Sequence, residues 1–233
     1  RDMSRLTSLI VLAAATVVHA DEPPRSLDPR LKIELFAEQP QLRTPTGIDV
    51  DHQGRVWVIE SNTHFRPDEY DGHPSDRLLV MQDTDGDGRA DEVKTFADGF
   101  THAMSVAVRP VWMDEVKVEG QRSSDDGDGR SPSTLDPRPS TQVFLATRRE
   151  ILLLEDIDGD DVCDRQTVLV RLETEGNYPH NGLAGFAFDA LGWMYFGFGE
   201  NLGEPYRLES RELRAKSQEN ESRWKGDVEA EST

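Results

Sequence analysis

An aspartate-rich loop that occurs twice in this chain constrains the fold more than any other feature. Residues 83–91 read Asp-Thr-Asp-Gly-Asp-Gly-Arg-Ala-Asp, and residues 156–164, which begin 73 positions later, carry the same acids at loop positions 1, 3, 5 and 9. Short apolar runs precede and follow the first loop, at 78–81 and 93–96. Because such runs bounded by turn residues are typical of strands, the pattern predicts a repeated β-structure.

Two further motifs follow the same repeat. The run Gly-Ile-Asp-Val at 47–50 recurs in type at 105–108 and at 185–188, and the turn Asp51-x-x-Gly54 recurs as Asp189-x-x-Gly192. No long stretch shows a convincing helical period of apolar residues. We therefore predict an all-β fold, a β-propeller with four-stranded blades that is incomplete, with about two and a half to three blades present.

The repeat also predicts where each unit begins and ends. The first unit runs from about 44 to 100, the second from about 101 to 173, and the third begins near 180. The second unit is longer because residues 112–141, rich in Ser, Asp, Gly, Pro and Arg, form a disordered insertion in this interpretation. The recognisable propeller as a whole covers residues 31–206.

The two ends of the sequence have a different composition. Residues 1–20 combine a basic start with an apolar run and Val18-His19-Ala20, which is typical of a secretory signal peptide. Residues 21–30 resemble a linker. Residues 207–233 are a polar tail, either native or the non-native end of a truncated or frame-shifted reading frame. The signal predicts a secreted or periplasmic protein with no membrane span in the mature chain.

Composition excludes several function classes. The chain has 233 residues and a formal net charge of −19, which argues against binding nucleic acid or anionic lipid. Its single Cys excludes an internal disulfide framework and a cysteine-rich zinc site. The sequence contains no Cys-x-x-Cys-His motif, so this chain carries no attachment site for a c-type haem.

The two aspartate loops predict calcium sites. Ca²⁺ takes six to eight oxygen ligands, and alternate acids in a tight turn place several carboxylates on its inner side. Gly88 permits the sharp bend at position 6 of the first loop, where the second loop has the less tolerant Asp161. Residues at position 7 would contribute backbone carbonyls. The predicted ligands are Asp83, Asp85, Asp87, Arg89 and Asp91 in the first loop, and Asp156, Asp158, Asp160, Val162 and Asp164 in the second.

Residues 180–200 resemble part of the exported PQQ-dependent sugar dehydrogenases, a six-bladed propeller family. In that family a His-x-Gly-Gly segment leads through a strand, an Asp-Gly turn and a second strand to Gly-Asp. Here Leu183 stands in place of the second Gly and Glu200 in place of the final Asp. The resemblance implies that His180 is the base that takes the hydroxyl proton of a sugar. The alternative is that His180 only caps the entry of a strand.

A wider resemblance covers most of residues 31–206. The run 46–60, the first aspartate loop and the segment from Asn181 to Gly203 resemble large secreted planctomycete-type proteins that are called membrane-bound dehydrogenases. Those proteins carry an N-terminal propeller, often followed by helical repeats and a c-type haem domain. The resemblance implies an N-terminal fragment, itself inactive, of an oxidoreductase that acts on sugars or alcohols. The resemblance implies that the complete protein uses PQQ as well as calcium as cofactors. It also implies that a quinone or haem partner accepts the electrons. The alternative is a non-catalytic, calcium-stabilised propeller module that binds protein or carbohydrate.

Several other side chains have expected positions. His64, His73 and His102 lie near the edges of the predicted units, where they are surface residues or line the mouth of the propeller. Trp57 and Trp193 occupy strand positions and are expected in the core.

Overall fold

A computed structural model of the chain describes residues 24–114, 141–177, 182–199 and 203–210. The predicted signal peptide and most of the predicted insertion lie outside the described residues. The described part contains eleven β-strands, one turn of 3₁₀ helix and no α-helix. The strands are Pro45–Val50 (β1), Val56–Glu60 (β2), Asp76–Gln82 (β3), Glu92–Phe100 (β4), Ala103–Val108 (β5), Thr141–Thr147 (β6), Glu150–Asp156 (β7), Arg165–Thr174 (β8), Leu183–Phe188 (β9), Met194–Phe198 (β10) and Tyr206–Ser210 (β11). This confirms the all-β fold.

The chain divides into two compact units, residues 1–34 and residues 35–233. The described part of the first unit has no strand and contains a turn at Asp28. The Asp28 carboxylate accepts hydrogen bonds from the Arg30 backbone and guanidinium, and the Leu31 N–H bonds to the Asp28 carbonyl at 3.0 Å. All eleven strands belong to the second unit.

Sheet 1 is an antiparallel meander in the order β1-β2-β3-β4. Its strands correspond to the first predicted unit, and both of its connecting motifs form as predicted. The turn after β1 closes through a bond of 3.0 Å from Gly54 N–H to the Asp51 carbonyl, and Gly54 adopts the positive φ of 82° that favours glycine. The first aspartate loop joins β3 to β4.

Sheet 2 repeats this order with β5-β6-β7-β8 and adds β11 beside β8. The second aspartate loop joins β7 to β8, and β5 and β6 lie on either side of the insertion. The register of β11 against β8 pairs Tyr206 with Thr174 and Ser210 with Val170. This fifth strand was not predicted, and its last four residues fall in the segment assigned from sequence to the polar tail.

Sheet 3 is the antiparallel pair β9-β10. The turn between its strands repeats the turn of sheet 1, because Gly192 N–H bonds to the Asp189 carbonyl at 3.0 Å and Gly192 has a φ of 85°. None of the three sheets in the described part closes on itself.

Apolar side chains hold the sheets face to face. One layer lies between sheets 1 and 2 and is built around Trp57, whose ring meets Phe96 edge-on at a centroid distance of 4.8 Å. A second layer joins the other face of sheet 2 to sheet 3 and includes Phe144 and Phe186. A third lies on the other face of sheet 1, where Phe36 and Leu42 cover Val58, Leu79 and Met81.

The first strands of the three units lie beside one another. The Thr46 hydroxyl donates to the Ala103 carbonyl at 3.2 Å, and Val108 N–H donates to the Asp49 carboxylate at 2.8 Å, so β1 is joined to β5. The Ser105 hydroxyl accepts a bond of 2.8 Å from Gly185 N–H, which joins β5 to β9. The equivalent strands β1, β5 and β9 therefore form one row across the three sheets.

The tryptophans differ from expectation in one case. Trp57 is fully buried, as expected, and its indole N–H donates to Asp51 at 3.0 Å. Trp193 is 49% exposed, so the expectation that it lies in the core is wrong. It precedes β10, on a sheet with no described neighbour beyond it.

Candidate metal loops and a polar cavity

The two aspartate loops have nearly the same hydrogen-bond structure. The carboxylate at position 1 accepts two backbone N–H groups in each: Asp83 from Gly86 and Gly88, at 2.7 and 2.8 Å, and Asp156 from the equivalent Gly159 and Asp161, at 2.6 and 3.2 Å. The carboxylate at position 9 reaches back across the loop, with Asp91 accepting Thr84 N–H and Asp164 accepting Ile157 N–H, both at 2.7 Å. The sequence repeat is thus a structural repeat as well.

Three of the predicted side-chain ligands come together in each loop. Carboxylate oxygens of Asp83, Asp85 and Asp91 lie within 4.8 Å of one another, and so do those of Asp156, Asp158 and Asp164. The position-5 acids are not part of these clusters. Asp87 instead accepts the Arg89 N–H at 2.8 Å, and Asp160 accepts the Val162 N–H at 2.9 Å.

The remaining two predicted ligands were expected to act through their backbone carbonyls, and their side chains are not part of either carboxylate cluster. The Arg89 guanidinium donates to Glu38 at 3.1 Å, and the Val162 side chain is 47% exposed. Hydrogen bonds from the Thr84 backbone and hydroxyl lower the pKa of Asp91 below its ordinary value. Asp91 is therefore ionised at neutral pH, as a cation ligand must be.

Asp161 has a role that the sequence did not reveal. Its φ of 66° is left-handed, as position 6 requires, and its carboxylate forms ion pairs with Arg55 and, at 3.0 Å, with Lys94. Arg55 lies in the turn between β1 and β2, and Lys94 lies in β4, so both cations belong to the sheet 1 side of this contact. The second loop is therefore tied to the neighbouring sheet, which explains why an acid stands where the first loop has glycine.

The opposite ends of the strands carry a polar cavity of about 590 Å³. In an antiparallel meander the connections alternate between the two ends, so the β4–β5 and β6–β7 connections lie away from the aspartate loops. These connections supply His102, Arg148 and Arg149 to the cavity wall, and Gln166 and Asn177 are among the other polar residues that line it. Arg148 is 9% exposed and donates to the Asn177 side chain at 3.1 Å.

His102 is held firmly at this cavity. Its φ of 53° is left-handed, and its backbone N–H donates to the Thr63 hydroxyl at 2.8 Å. Burial, together with the nearby Arg148 charge, lowers the pKa of His102, so the ring is neutral at pH 7. The His64 ring lies edge-on at a centroid distance of 6.0 Å. His73 is engaged elsewhere, through Nδ1 to the Ser75 carbonyl at 3.0 Å.

His180, the predicted base, lies outside the described residues. The described residues on either side of it both meet the cavity wall at Arg148. Asn177 accepts the Arg148 hydrogen bond, and Gly182 packs on the Arg148 backbone so closely that an added Cβ would stand 2.6 Å from its Cα. Gly182 is therefore required by close backbone approach, with a φ of 142°.

A buried polar network that the sequence did not predict lies at the same end of sheet 1. Asp76 is fully buried and accepts the N–H groups of Asn62, Thr63 and Ala103 at 2.6 to 2.7 Å. Glu60 is 2% exposed and accepts the Arg77 guanidinium at 2.6 Å. The only signal in the sequence was an acid beside each apolar run, which does not distinguish a buried acid from a solvated one.

Comparison with known proteins gives one match. Residues 26–121, about two fifths of the chain, match the model of a family described as a domain of unknown function, DUF7133. The matched region spans sheet 1, its aspartate loop and β5. No curated protein and no solved structure matches the chain. No helix in the described part is long and apolar enough to cross a membrane.

Proposed function

We propose that this chain is part of a secreted β-propeller that binds Ca²⁺ at its two aspartate loops. The observation that carries the proposal is the shared geometry of the loops, which have equivalent carboxylate clusters and equivalent hydrogen bonds although they share few residues other than acids and Gly86 and Gly159. The row of first strands β1, β5 and β9, with sheets packed face to face, supports the propeller architecture.

The donor set fits a hard divalent cation. Asp83, Asp85 and Asp91 would hold it in the first loop, and Asp156, Asp158 and Asp164 in the second, because carboxylate oxygens are the ligands that Ca²⁺ prefers. Position-5 carboxylates, position-7 carbonyls and water would supply the remaining oxygens that six- to eight-fold coordination needs. Bound Ca²⁺ would neutralise like charges that otherwise repel one another within each loop.

Thermal unfolding of the purified chain in Ca²⁺ and in chelator tests this proposal. At 100 times Kd a bound ion stabilises the folded state by about 2.7 kcal/mol per site, so the melting temperature should rise clearly with Ca²⁺. Mg²⁺ at equal concentration should raise it less, since Mg²⁺ demands stricter octahedral geometry. An unchanged melting temperature across all three conditions would show that the loops hold no cation.

A second candidate function is dehydrogenation of a sugar or alcohol, with electrons passed to a quinone or haem partner. The observation that favours it is the polar cavity, because the residues flanking His180 both contact its wall at Arg148. In this proposal His180 accepts the hydroxyl proton of the substrate as its carbon loses hydride. A bound quinone would supply the hydride acceptor. In that family the quinone-binding residues belong to later blades than the three sheets of this structure.

Dye reduction tests the second candidate in the protein that carries this segment together with its remaining blades. With calcium, PQQ and a panel of sugars and alcohols, His180→Ala should lower kcat at least about a hundredfold, the range for loss of a general base. His73→Ala serves as the matched control, because His73 bonds to Ser75 and does not line the cavity. Equal rates in wild type and His180→Ala would contradict the assignment. No turnover, with calcium stabilisation intact, would favour a non-catalytic module that binds protein or carbohydrate.

A further inference from the structure

The polar cavity lies between sheets 1 and 2, and all four strands of each meander, β1–β4 and β5–β8, are described. Phe100 at the end of β4 and Leu152 of β7 line the cavity and also belong to the apolar layer that joins these two sheets. The cavity is therefore formed by a sheet interface within the chain and not by an uncovered sheet face. Its volume of about 590 Å³ is in the range of about 300–1,000 Å³ that is typical of small-molecule sites.

Two adjacent arginines line this cavity from the β6–β7 connection. Arg148 is buried and Arg149 is half-buried, so both guanidinium groups are partly removed from water. The Arg149 guanidinium donates to the backbone carbonyls of Thr174 and Gly176. Because these acceptors are neutral, they fix the position of the guanidinium without neutralising its charge.

The cavity wall therefore carries an excess of positive charge, in a chain whose net charge is −19. Among the described lining residues the one acid is Glu150, and its carboxylate accepts hydrogen bonds from the Arg171 guanidinium at 2.9 and 3.0 Å. Burial and the nearby Arg149 charge lower the pKa of Arg148. An anion bound in the cavity would offset both of these unfavourable effects.

The remaining lining suits a ligand with several hydroxyl groups. Thr101 and Gln166 offer uncharged donors and acceptors, and the neutral ring of His102 offers one of each. Phe100 and Val168 add apolar surface against which the C–H groups of such a ligand can pack. The wall thus combines two cations with uncharged polar groups and a smaller apolar part.

We propose that this cavity binds a sugar acid, with the carboxylate of the ligand against Arg148 and Arg149 and its hydroxyl groups against the uncharged polar side chains. Guanidinium groups suit a carboxylate because they are planar and always charged, and charge-assisted hydrogen bonds are stronger than neutral ones. The proposal rests on the second candidate function only in giving the cavity a small-molecule ligand. It narrows that ligand from sugars and alcohols to acidic sugars, and it requires neither turnover nor His180.

Isothermal titration calorimetry of the purified chain at constant Ca²⁺ tests the proposal with D-glucuronate, D-glucose and acetate. Glucuronate and glucose share a pyranose ring and differ at C6, so their comparison isolates the carboxylate, whereas acetate supplies a carboxylate without the ring. Glucuronate should bind at least about tenfold more tightly than either of the others. Added NaCl should weaken glucuronate binding and leave glucose binding unchanged.

Two charge-removing variants test which side chains bind the carboxylate. Arg148→Gln and Arg149→Gln should each reduce the preference for glucuronate over glucose at least about fivefold, because each removes a charge but keeps a side-chain donor. Arg149→Lys, which keeps the charge, should retain more of the preference than Arg149→Gln. Arg207→Gln is the matched control, since Arg207 lies on β11, is 55% exposed and does not line the cavity, and it should leave the preference unchanged.

The preference for glucuronate separates this proposal from the dehydrogenase proposal. Glucuronate binding no tighter than that of glucose or acetate would overturn it, and so would a preference that neither glutamine variant changes. Loss of dye reduction in the complete protein, with the glucuronate preference intact, would contradict the dehydrogenase proposal alone.

Discussion

Asp161 illustrates how a single residue meets two demands at once. A left-handed backbone costs a non-glycine residue about 1 kcal/mol or more, which glycine would avoid. This cost is offset because the Asp161 carboxylate forms ion pairs with Arg55 and Lys94, which connect the second aspartate loop to sheet 1. The side chains of Asp161 and Arg55 are only 21% and 11% exposed, so solvent weakens their attraction less than at an open surface.

Replacing Asp161 should therefore destabilise the contact between sheets 1 and 2, even though the left-handed backbone at this position is unfavourable for a non-glycine residue. We expect Asp161→Asn, which tolerates the same φ, to cost about 1–3 kcal/mol, because it leaves Arg55 with one charged partner fewer. A double-mutant cycle with Lys94→Met by urea unfolding, in saturating Ca²⁺, would measure the coupling. Additive effects of the two substitutions would show that the ion pair contributes nothing.

Glu60 predicts how stability depends on pH. Burial raises the pKa of Glu60, but hydrogen bonds from Asn62 and Arg77 and from the Arg43 backbone outweigh it, so the pKa lies below its ordinary value. The unfolded chain then binds the proton more readily than the folded chain. The stabilisation is complete above the ordinary glutamate pKa of about 4.3 and is lost as pH falls through the lower, folded value.

Urea unfolding of wild type and Glu60→Gln between pH 3 and pH 6 measures this contribution. Wild type should lose more stability than the variant on acidification. The variant should be less stable at pH 6, by about 1–3 kcal/mol, because the Arg77 guanidinium, whose side chain is 27% exposed, loses its charged partner. Parallel pH profiles for the two proteins would contradict the assignment.

At the scale of the element, the sequence predicted strands well where short apolar runs ended in Gly or Asp turns. Both Asp-x-x-Gly turns and both aspartate loops formed as predicted, since their geometry depends on local backbone angles and local hydrogen bonds. The pairing of β11 with β8 and the exposure of Trp193 were missed. Both depend on which strands and sheets are neighbours in the fold, and the residue types of one segment do not show what packs against it.

The connection between β5 and β6 gives a prediction about how far the fold depends on it. Its described ends are already joined, because Arg109 N–H bonds to the Gln142 carbonyl at 2.9 Å and Val108 pairs with Val143. Replacing residues 115–140 by a four-residue Gly-Ser linker should keep the fold and raise stability by about 1 kcal/mol through the shorter loop. Thermal unfolding measures the change, and loss of cooperative unfolding would show that the segment is structural.

At the scale of the whole molecule, the strong negative charge has a partly local origin. Eight of the acids behind the net charge of −19 stand in two loops, at positions 1, 3, 5 and 9. The structure gathers six of them into two clusters, at the strand ends away from the polar cavity. Calcium binding and ligand binding are therefore expected at opposite ends of the sheets, so that calcium would stabilise the framework without touching a substrate.

Calcium titration of the purified, calcium-free chain by isothermal calorimetry tests this account most directly. We predict two sites per chain, falling to one in Asp83→Asn and to one in Asp156→Asn, because each variant loses the position-1 ligand of a different loop. Asp98→Asn, an exposed acid outside both loops, should keep two sites. Absence of saturable binding, or a stoichiometry that neither loop variant changes, would contradict the account.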